Sequence, residues 1–259
     1  VYESIAKAAS YLGTYMIVDP EEWVNITYVA NLVPLLHEVR EDVIKACKMV
    51  ELDYDKTVLS VVSEVKKIHF RTIVSVRVPF GEKVEEAVEE LTSGGVEVIH
   101  LYADLNGRAR SRFVKDMILS THRHLVDLGM RDDVTLIVSG GIACAEHMAK
   151  SILCGADVIA IDLPLLIALE CRYCKNCRSG LQCPIEVEEV NPQWGIQRIM
   201  NLIGAWRNQL LEVLGAMGLR EVRRLRSELG RAIFIEDIQK ETFDKVLAEE
   251  ASAHDRYND

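Results

Sequence analysis

The stretch Val134-Thr135-Leu136-Ile137-Val138-Ser139-Gly140-Gly141-Ile142 decides the fold, together with the apolar-spaced residues 145–154 and the run Val158-Ile159-Ala160-Ile161. The first run is continuous and β-branched, which suits a strand buried on both faces. The paired glycines suit a sharp turn, and apolar residues three and four apart suit a helix. This is one strand-turn-helix-strand unit, and such units place their strands in parallel. The alternation continues upstream, where residues 14–18, 26–30, 43–46, 72–78 and 96–101 read as buried strands. Residues 3–12, 34–41, 56–68, 83–92 and 111–128 read as helices between them.

Seven strand candidates alternating with helices imply a parallel α/β sheet, and a right-handed series of such units closes most naturally into a (β/α)8 TIM-type barrel. An open doubly wound sheet is the alternative. The chain opens on Val1, which fits a piece of a longer polypeptide with the eighth strand expected just before it. Residues 1–170 form the expected barrel, 171–190 a cysteine-rich loop, and 191–259 a helical extension packed on the barrel. In that extension, residues 193–217 place Trp194, Ile199, Leu202, Trp206, Leu210 and Leu214 on one helical face ending near Gly218. The basic stretch from Arg220 to Arg226 reads as a solvated face and residues 249–259 as a frayed end.

With 259 residues, 49% of them hydrophobic, the chain is long enough for one large core. Its net charge of -10 argues against nucleic acid and anionic membrane surfaces, which both call for basic patches. The longest apolar stretch, about residues 158–169, is broken by Asp162 and Pro164, so no transmembrane segment is expected. No secretory signal is visible, and cytoplasmic placement is expected.

Four cysteines fall within one short arc, as Cys171-Arg172-Tyr173-Cys174-Lys175-Asn176-Cys177 and then Cys183-Pro184. Three thiols at such intervals can point at one centre, and a fourth followed by proline closes the cage, as in ferredoxin-type loops. Cys171, Cys174, Cys177 and Cys183 are therefore read as ligands of a 4Fe-4S cluster. Zinc remains an alternative, although its four-thiolate sites usually come as two separated pairs. Redox or structural thiols are the other, in a compartment that disfavours disulfides. Cys47, Cys144 and Cys154 stand apart and read as buried apolar residues.

Barrel chemistry sits at the carboxyl ends of the strands. Ser139, Gly140 and Gly141 follow one strand and precede a helix, where backbone amides can approach a phosphate; a tight turn needing positive φ explains the glycines equally well. Arg77 lies inside a strand between Val76 and Val78. It needs an anion, either a neighbouring carboxylate or a ligand in the barrel mouth. Lys45, His100 and Asp104 also fall near strand ends. No catalytic residue is assigned.

The order Gly13-Thr14-Tyr15-Met16, Val76-Arg77-Val78, Ser120-Thr121-His122-Arg123, Gly129-Met130-Arg131-Asp132-Asp133-Val134, Ser139-Gly140-Gly141 and Cys183-Pro184 resembles the FMN-binding central domain of glutamate synthase. The resemblance spans nearly the whole chain. It implies an FMN-binding barrel with a 3Fe-4S cluster on C-x5-C-x4-C-P. Cys171, Cys177 and Cys183 match those positions with one extra residue in the second gap, and Cys174 is an addition able to hold a fourth iron. The resemblance places Arg77 where the family has a lysine beside the flavin ring, and Ser139-Gly140-Gly141 at its Asp-Gly-Gly phosphate turn. Ile161-Asp162-Leu163 stands at its second phosphate loop without the glycine. Val18-Asp19-Pro20-Glu21-Glu22 and Cys47-Lys48-Met49-Val50 stand where the family has glycine-rich segments. Residues 102–108 only loosely match its 2-oxoglutarate or glutamate loop.

The resulting expectation is an iron-sulfur oxidoreductase subunit with FMN as a candidate second cofactor. It would transfer electrons in a larger complex with other redox subunits or a ferredoxin-like carrier. The alternative is a scaffold or electron wire that has lost FMN.

Overall fold

The structure, a computed structural model, describes residues 1–23, 31–109, 112–186 and 190–228. Helix α1 (Tyr2–Leu12) leads into strand β1 (Met16–Val18) and the single turn α2 (Pro20–Trp23). Next come β2 (Leu32–Leu36), α3 (Glu41–Ala46), β3 (Met49–Asp53), α4 (Val58–Ile68), β4 (Ile73–Pro79), α5 (Val84–Ser93) and β5 (Val98–Tyr102). A short antiparallel ribbon, β6 (Arg108–Ala109) with β7 (Arg112–Phe113), precedes α6 (Val114–Asp127). The chain then runs through β8 (Thr135–Ser139), α7 (Ala145–Cys154), β9 (Val158–Ile159), α8 (Leu163–Ala168) and α9 (Pro192–Met217) to a 3-10 segment at Val222–Ser227.

Seven strands pair in parallel in the order β1-β2-β3-β4-β5-β8-β9, a curled sheet of the (β/α) barrel type with β1 and β9 at its edges. One face packs on the helices. Val50, Leu52, Val74, Val76, Val78, Ile99, Leu101, Leu136 and Val138 join Val62, Val88, Met117 and Leu125 there in one buried cluster. Each fully buried aliphatic side chain contributes roughly 1.5–3 kcal/mol to that layer. Because strand side chains alternate, Glu51, Ser75, Arg77, His100, Tyr102 and Ser139 fall on the opposite, concave face.

Two expected elements exchange identities. Residues 34–41 are not a helix: Leu32-Val33-Pro34-Leu35-Leu36 is β2, with all five residues buried. Pro34 is accommodated because β2 pairs with β1 through residues 32–34 and with β3 through residues 35 and 36, so the proline sits where the ladder changes partner. Residues 43–46 are not a strand but part of α3. There Glu41 and Asp42 occupy the first turn and Lys45 the last, which complements the helix dipole. Glu41 and Lys45 also pair across one turn. The strand that follows, β3, was unexpected and includes Met49 and Val50. The strand expected at residues 26–30 and the frayed end at 249–259 lie outside the described residues.

Helix α9 packs on α1 and α7, with Ile196, Ile199, Trp206 and Leu214 buried. Trp194 departs from the expected face: it is exposed, with the Arg198 guanidinium over its ring. Arg226 also departs from the expected solvated face, because its Nη1 lies 2.9 Å from Asp157. Asp157 in turn accepts from the buried Arg131 Nη2 at 2.6 Å and from the Leu136 N–H at 2.9 Å. Arg131 also donates to the Val134 and Gly155 carbonyls and to His122 Nδ1. Among the described residues, no helix is long and apolar enough to cross a membrane.

Candidate functional site

The carboxyl ends of five neighbouring strands carry a continuous line of polar contacts. Asp19 follows β1, His37 follows β2, Asp53 ends β3, Arg77 lies near the end of β4, and Tyr102 ends β5. His37 Nε2 is 3.3 Å from Asp19 Oδ2, and its Nδ1 is 4.0 Å from Asp53 Oδ2. Arg77 donates from Nε and Nη2 to Asp53 Oδ1 at 2.9 and 2.8 Å, and its guanidinium carbon stands 5.1 Å from the Tyr102 ring centroid. The Glu21 N–H, followed by His37, holds the Asp19 carboxyl below its usual range. Arg77 thus has the carboxylate partner that its place in a strand called for. Its side chain is 29% exposed and remains at the mouth.

A second constellation lies deeper on the concave face. Glu51, fully buried in the middle of β3, accepts from Ser75 Oγ at 3.1 Å through Oε1, and the same oxygen is 2.9 Å from His100 Nδ1. The other ring nitrogen, His100 Nε2, is 2.9 Å from Ser139 Oγ. Glu51 Oε2 is buried with no hydrogen-bond partner among the described residues. His100 was noticed in the sequence, but Glu51 was not. A carboxylate inside an apolar run broke the pattern that would have marked it as a strand residue.

Ser139 leads into Gly140 and Gly141, both at positive φ, 94° and 70°. A Cβ on Gly140 would stand 2.5 Å from the Ala103 carbonyl oxygen, and one on Gly141 would collide with the Gly107 backbone. The glycines are therefore needed for close backbone packing against the loop after β5. The N–H groups of Gly140, Gly141 and Ile142 have no protein acceptor among the described residues, so donors are also available for an anion there. Beside this turn, a pocket of about 220 Å3 opens between α6 and α7, lined by Phe113, Lys115, Gly141, Ile142, His147 and Lys150 among others.

The cysteine loop joins α8 to α9. Cys174 and Cys177 are exposed, Cys171 and Cys183 half-buried, and all four are free thiols. Glu170, Tyr173 and Lys175 take left-handed backbone conformations, with φ of 70°, 50° and 65°. Such bends in non-glycine residues are costly; Glu170 turns the chain into the loop, and Tyr173 and Lys175 turn it between the first three thiols. Among the described residues, one group of three ligating side chains has its atoms within 4.8 Å of one another: Cys144, Glu146 and His147 at the start of α7. The loop thiols do not form such a group among the described residues. Cys47 and Cys154 are buried, and burial pushes both thiols up to about 11. Cys144 is half-buried, not fully buried as expected.

The curled parallel sheet and the polar mouth define an α/β barrel of the kind that carries its chemistry at the strand carboxyl ends. Solved structures share this fold. A double mutant of flavocytochrome b2 with pyruvate bound matches with a TM-score of 0.63 and 15% identity, covering 90% of this chain and 67% of that one. A mandelate oxidase variant with a monooxide FMN adduct matches with a TM-score of 0.59 and 14% identity, covering 86% and 71%. A family model described as the conserved region in glutamate synthase matches residues 38–220, and the chain belongs to that family. The archaeal glutamate synthase [NADPH] of Methanocaldococcus jannaschii is 36% identical over 121 residues, which cover 44% of this chain and 24% of that protein. The protein of the same name from Archaeoglobus fulgidus is 27% identical over 186 residues, covering 65% and 36%. The matched region therefore spans about a quarter to a third of these relatives' length.

Proposed function

We propose that this chain is a glutamate-synthase-like oxidoreductase barrel that holds FMN at its mouth and a 4Fe-4S cluster on its cysteine loop. The observation that carries the reading is the pairing of one strand-end arginine, Arg77, with donor amides at Gly140-Gly141 on the same rim of a family barrel. FMN accepts two electrons and can release them singly. The family match and the FMN adduct of a fold neighbour support that cofactor. In this chain the amides of Gly140, Gly141 and Ile142 would receive the phosphate. Arg77, oriented by Asp53 and the Tyr102 ring, would hold negative charge on the ring. Asp53 lowers the net charge offered by Arg77, so this stabilisation is weaker than a lone guanidinium would give.

Cys171, Cys174, Cys177 and Cys183 would hold the cluster; with Cys174 outside the ligand set, a 3Fe-4S cluster is the alternative. The exposed Cys174 and Cys177 put the loop at the surface, where a redox subunit or a ferredoxin-like carrier in the cytoplasm can approach. Neutralisation of Arg77 by Asp53 favours a second reading, a scaffold or electron wire that has lost FMN. Anaerobic purification followed by visible absorption, iron and acid-labile sulfide determination tests both. The first reading expects resolved flavin bands and about four irons and four sulfides per chain. Cluster absorption without flavin selects the second, and about one zinc with no sulfide rejects both.

A further inference from the structure

We propose that Cys144, Glu146 and His147, at the start of α7, form a mononuclear zinc site separate from the cysteine loop. One ligand atom from each side chain lies within 4.8 Å of the other two. The proposal goes beyond the oxidoreductase reading and rests on neither the flavin nor the cluster. Its geometry follows from the helix start. Cys144 is the N-cap residue of α7 and His147 the third helical residue, two positions whose side chains meet across the first turn, as in a capping box. The Cys144 side chain makes no capping hydrogen bond, so the helix does not use its sulfur. Glu146 is exposed, while Cys144 and His147 are half-buried, which leaves the group open to an entering ion.

His147 brings its own orienting contact. Its Nδ1 lies 3.2 Å from the Gly141 carbonyl oxygen and 3.1 Å from the Ala143 nitrogen. One ring nitrogen cannot donate to the first and accept from the second at once, so two tautomers compete. With the proton on Nδ1, the Gly141 carbonyl accepts it and Nε2 is bare for a cation. A backbone carbonyl that takes the other ring N–H is how ligating histidines are commonly held, and metal binding would select this tautomer. The Gly141–Ile142 peptide is trans and points its C=O and N–H in opposite directions. Its carbonyl turned to His147 therefore sends the Ile142 N–H the other way, so the metal and the phosphate proposed above fall on opposite sides of one peptide.

The donor set names the ion. Mg2+ and Ca2+ call for oxygen ligands, whereas one thiolate, one imidazole and one carboxylate suit Zn2+. Thiolate and carboxylate balance its two charges, which keeps the filled site neutral at a helix end that disfavours an uncompensated cation. Lys150 stands 3.7 Å from Glu146 Oε1, and the second carboxylate oxygen serves the metal. Ligand atoms on one Zn2+ stand about 3.3–3.6 Å apart, so small side-chain rotations complete the set. Glu146 and His147 also line the pocket of about 220 Å3 between α6 and α7, where water or a small anion supplies the fourth ligand.

Zinc analysis and zinc-edge X-ray absorption test this on the whole chain, purified anaerobically with zinc and exchanged into metal-free buffer. The expected result is about one zinc per chain, with one sulfur at about 2.3 Å and three nitrogen or oxygen neighbours at about 2.0–2.1 Å. Cys144→Ser leaves a good N-cap residue, so α7 should still form. This variant and His147→Asn should each weaken zinc binding about 10-fold or more, with iron and sulfide unchanged. No retained zinc overturns the proposal, as does unchanged zinc affinity in either variant. Zinc bound by three or four sulfurs overturns it too, because that ion would sit on the cysteine loop. One-sulfur zinc in a chain without iron or flavin upholds this site and counts against the oxidoreductase reading alone.

Discussion

At the scale of single residues, the buried groups fall into a structural set and a functional set. Arg131, Asp157, Arg226 and His122 tie α6, the start of β8, the approach to β9 and the segment after α9 together. Arg131 is 6% exposed, so removing Asp157 strands a buried charge. Asp157→Ala should lower unfolding stability by about 3–5 kcal/mol in urea titration, and a loss under 1 kcal/mol would show that solvent reaches Arg131. Burial, helped by Arg131, holds the His122 ring below its ordinary value. The unfolded chain then takes up a proton at about pH 6.5 that the folded chain refuses until lower pH, so stability present at neutral pH is lost as pH falls below about 6.5. Urea midpoints should drop between pH 7 and pH 5, and His122→Asn should flatten that slope. At the rim, Gly141→Val meets both positive φ and the Gly107 backbone. It should reduce FMN content and lower Tm while leaving iron unchanged; full flavin occupancy in this variant would remove the phosphate from this turn.

At the scale of elements, the sequence succeeded where hydrophobic patterning was undisturbed and failed where charged residues or a proline interrupted it. Strands β4, β5 and β8 are apolar on the helix-facing side and were legible, although Arg77 and His100 sit inside two of them. Strand β3 was missed because Glu51 and Asp53 interrupt a run of only five residues. The swap at β2 and α3 has a similar local cause. Pro34 resembles a helix start, and Val43-Ile44 resembles the beginning of a strand, until the sheet places Leu32–Leu36 between two neighbours. The cysteine loop reads as a candidate ligand set by spacing alone. Left-handed Tyr173 and Lys175 show how the backbone turns between its first three thiols. Cys174→Ser should lower iron from about four to about three per chain and shift the paramagnetic signal to that of an oxidised three-iron centre. Unchanged iron and spectra would remove Cys174 from the ligand set.

At the scale of the whole molecule, the described strands form a seven-membered curled sheet, and the matched region spans a minor part of its relatives' length. If the cysteine loop holds the proposed cluster, its exposed thiols place that centre where a partner's redox centre could come close, and the proposal then expects the chain to act inside a complex. Anaerobic co-purification should recover a redox subunit or ferredoxin-like carrier, with Arg172, Tyr173 and Lys175 on the covered face. A monodisperse monomer that makes glutamate from 2-oxoglutarate and ammonia with reduced ferredoxin would refute this. The sequence by itself determined the barrel class and the glycine turn, and it set out the four closely spaced cysteines on which the cluster proposal rests, because each is written in residues close together along the chain. Only the tertiary structure decided that Arg77 is held by Asp53, that Arg226 turns inward, and that Glu51, His100 and Ser139 align. Those partners lie 24 to 69 residues apart; parallel pairing of separate strands aligns Arg77 with Asp53 and Glu51 with His100 and Ser139, and packing of the segment after α9 against α7 brings Arg226 to Asp157.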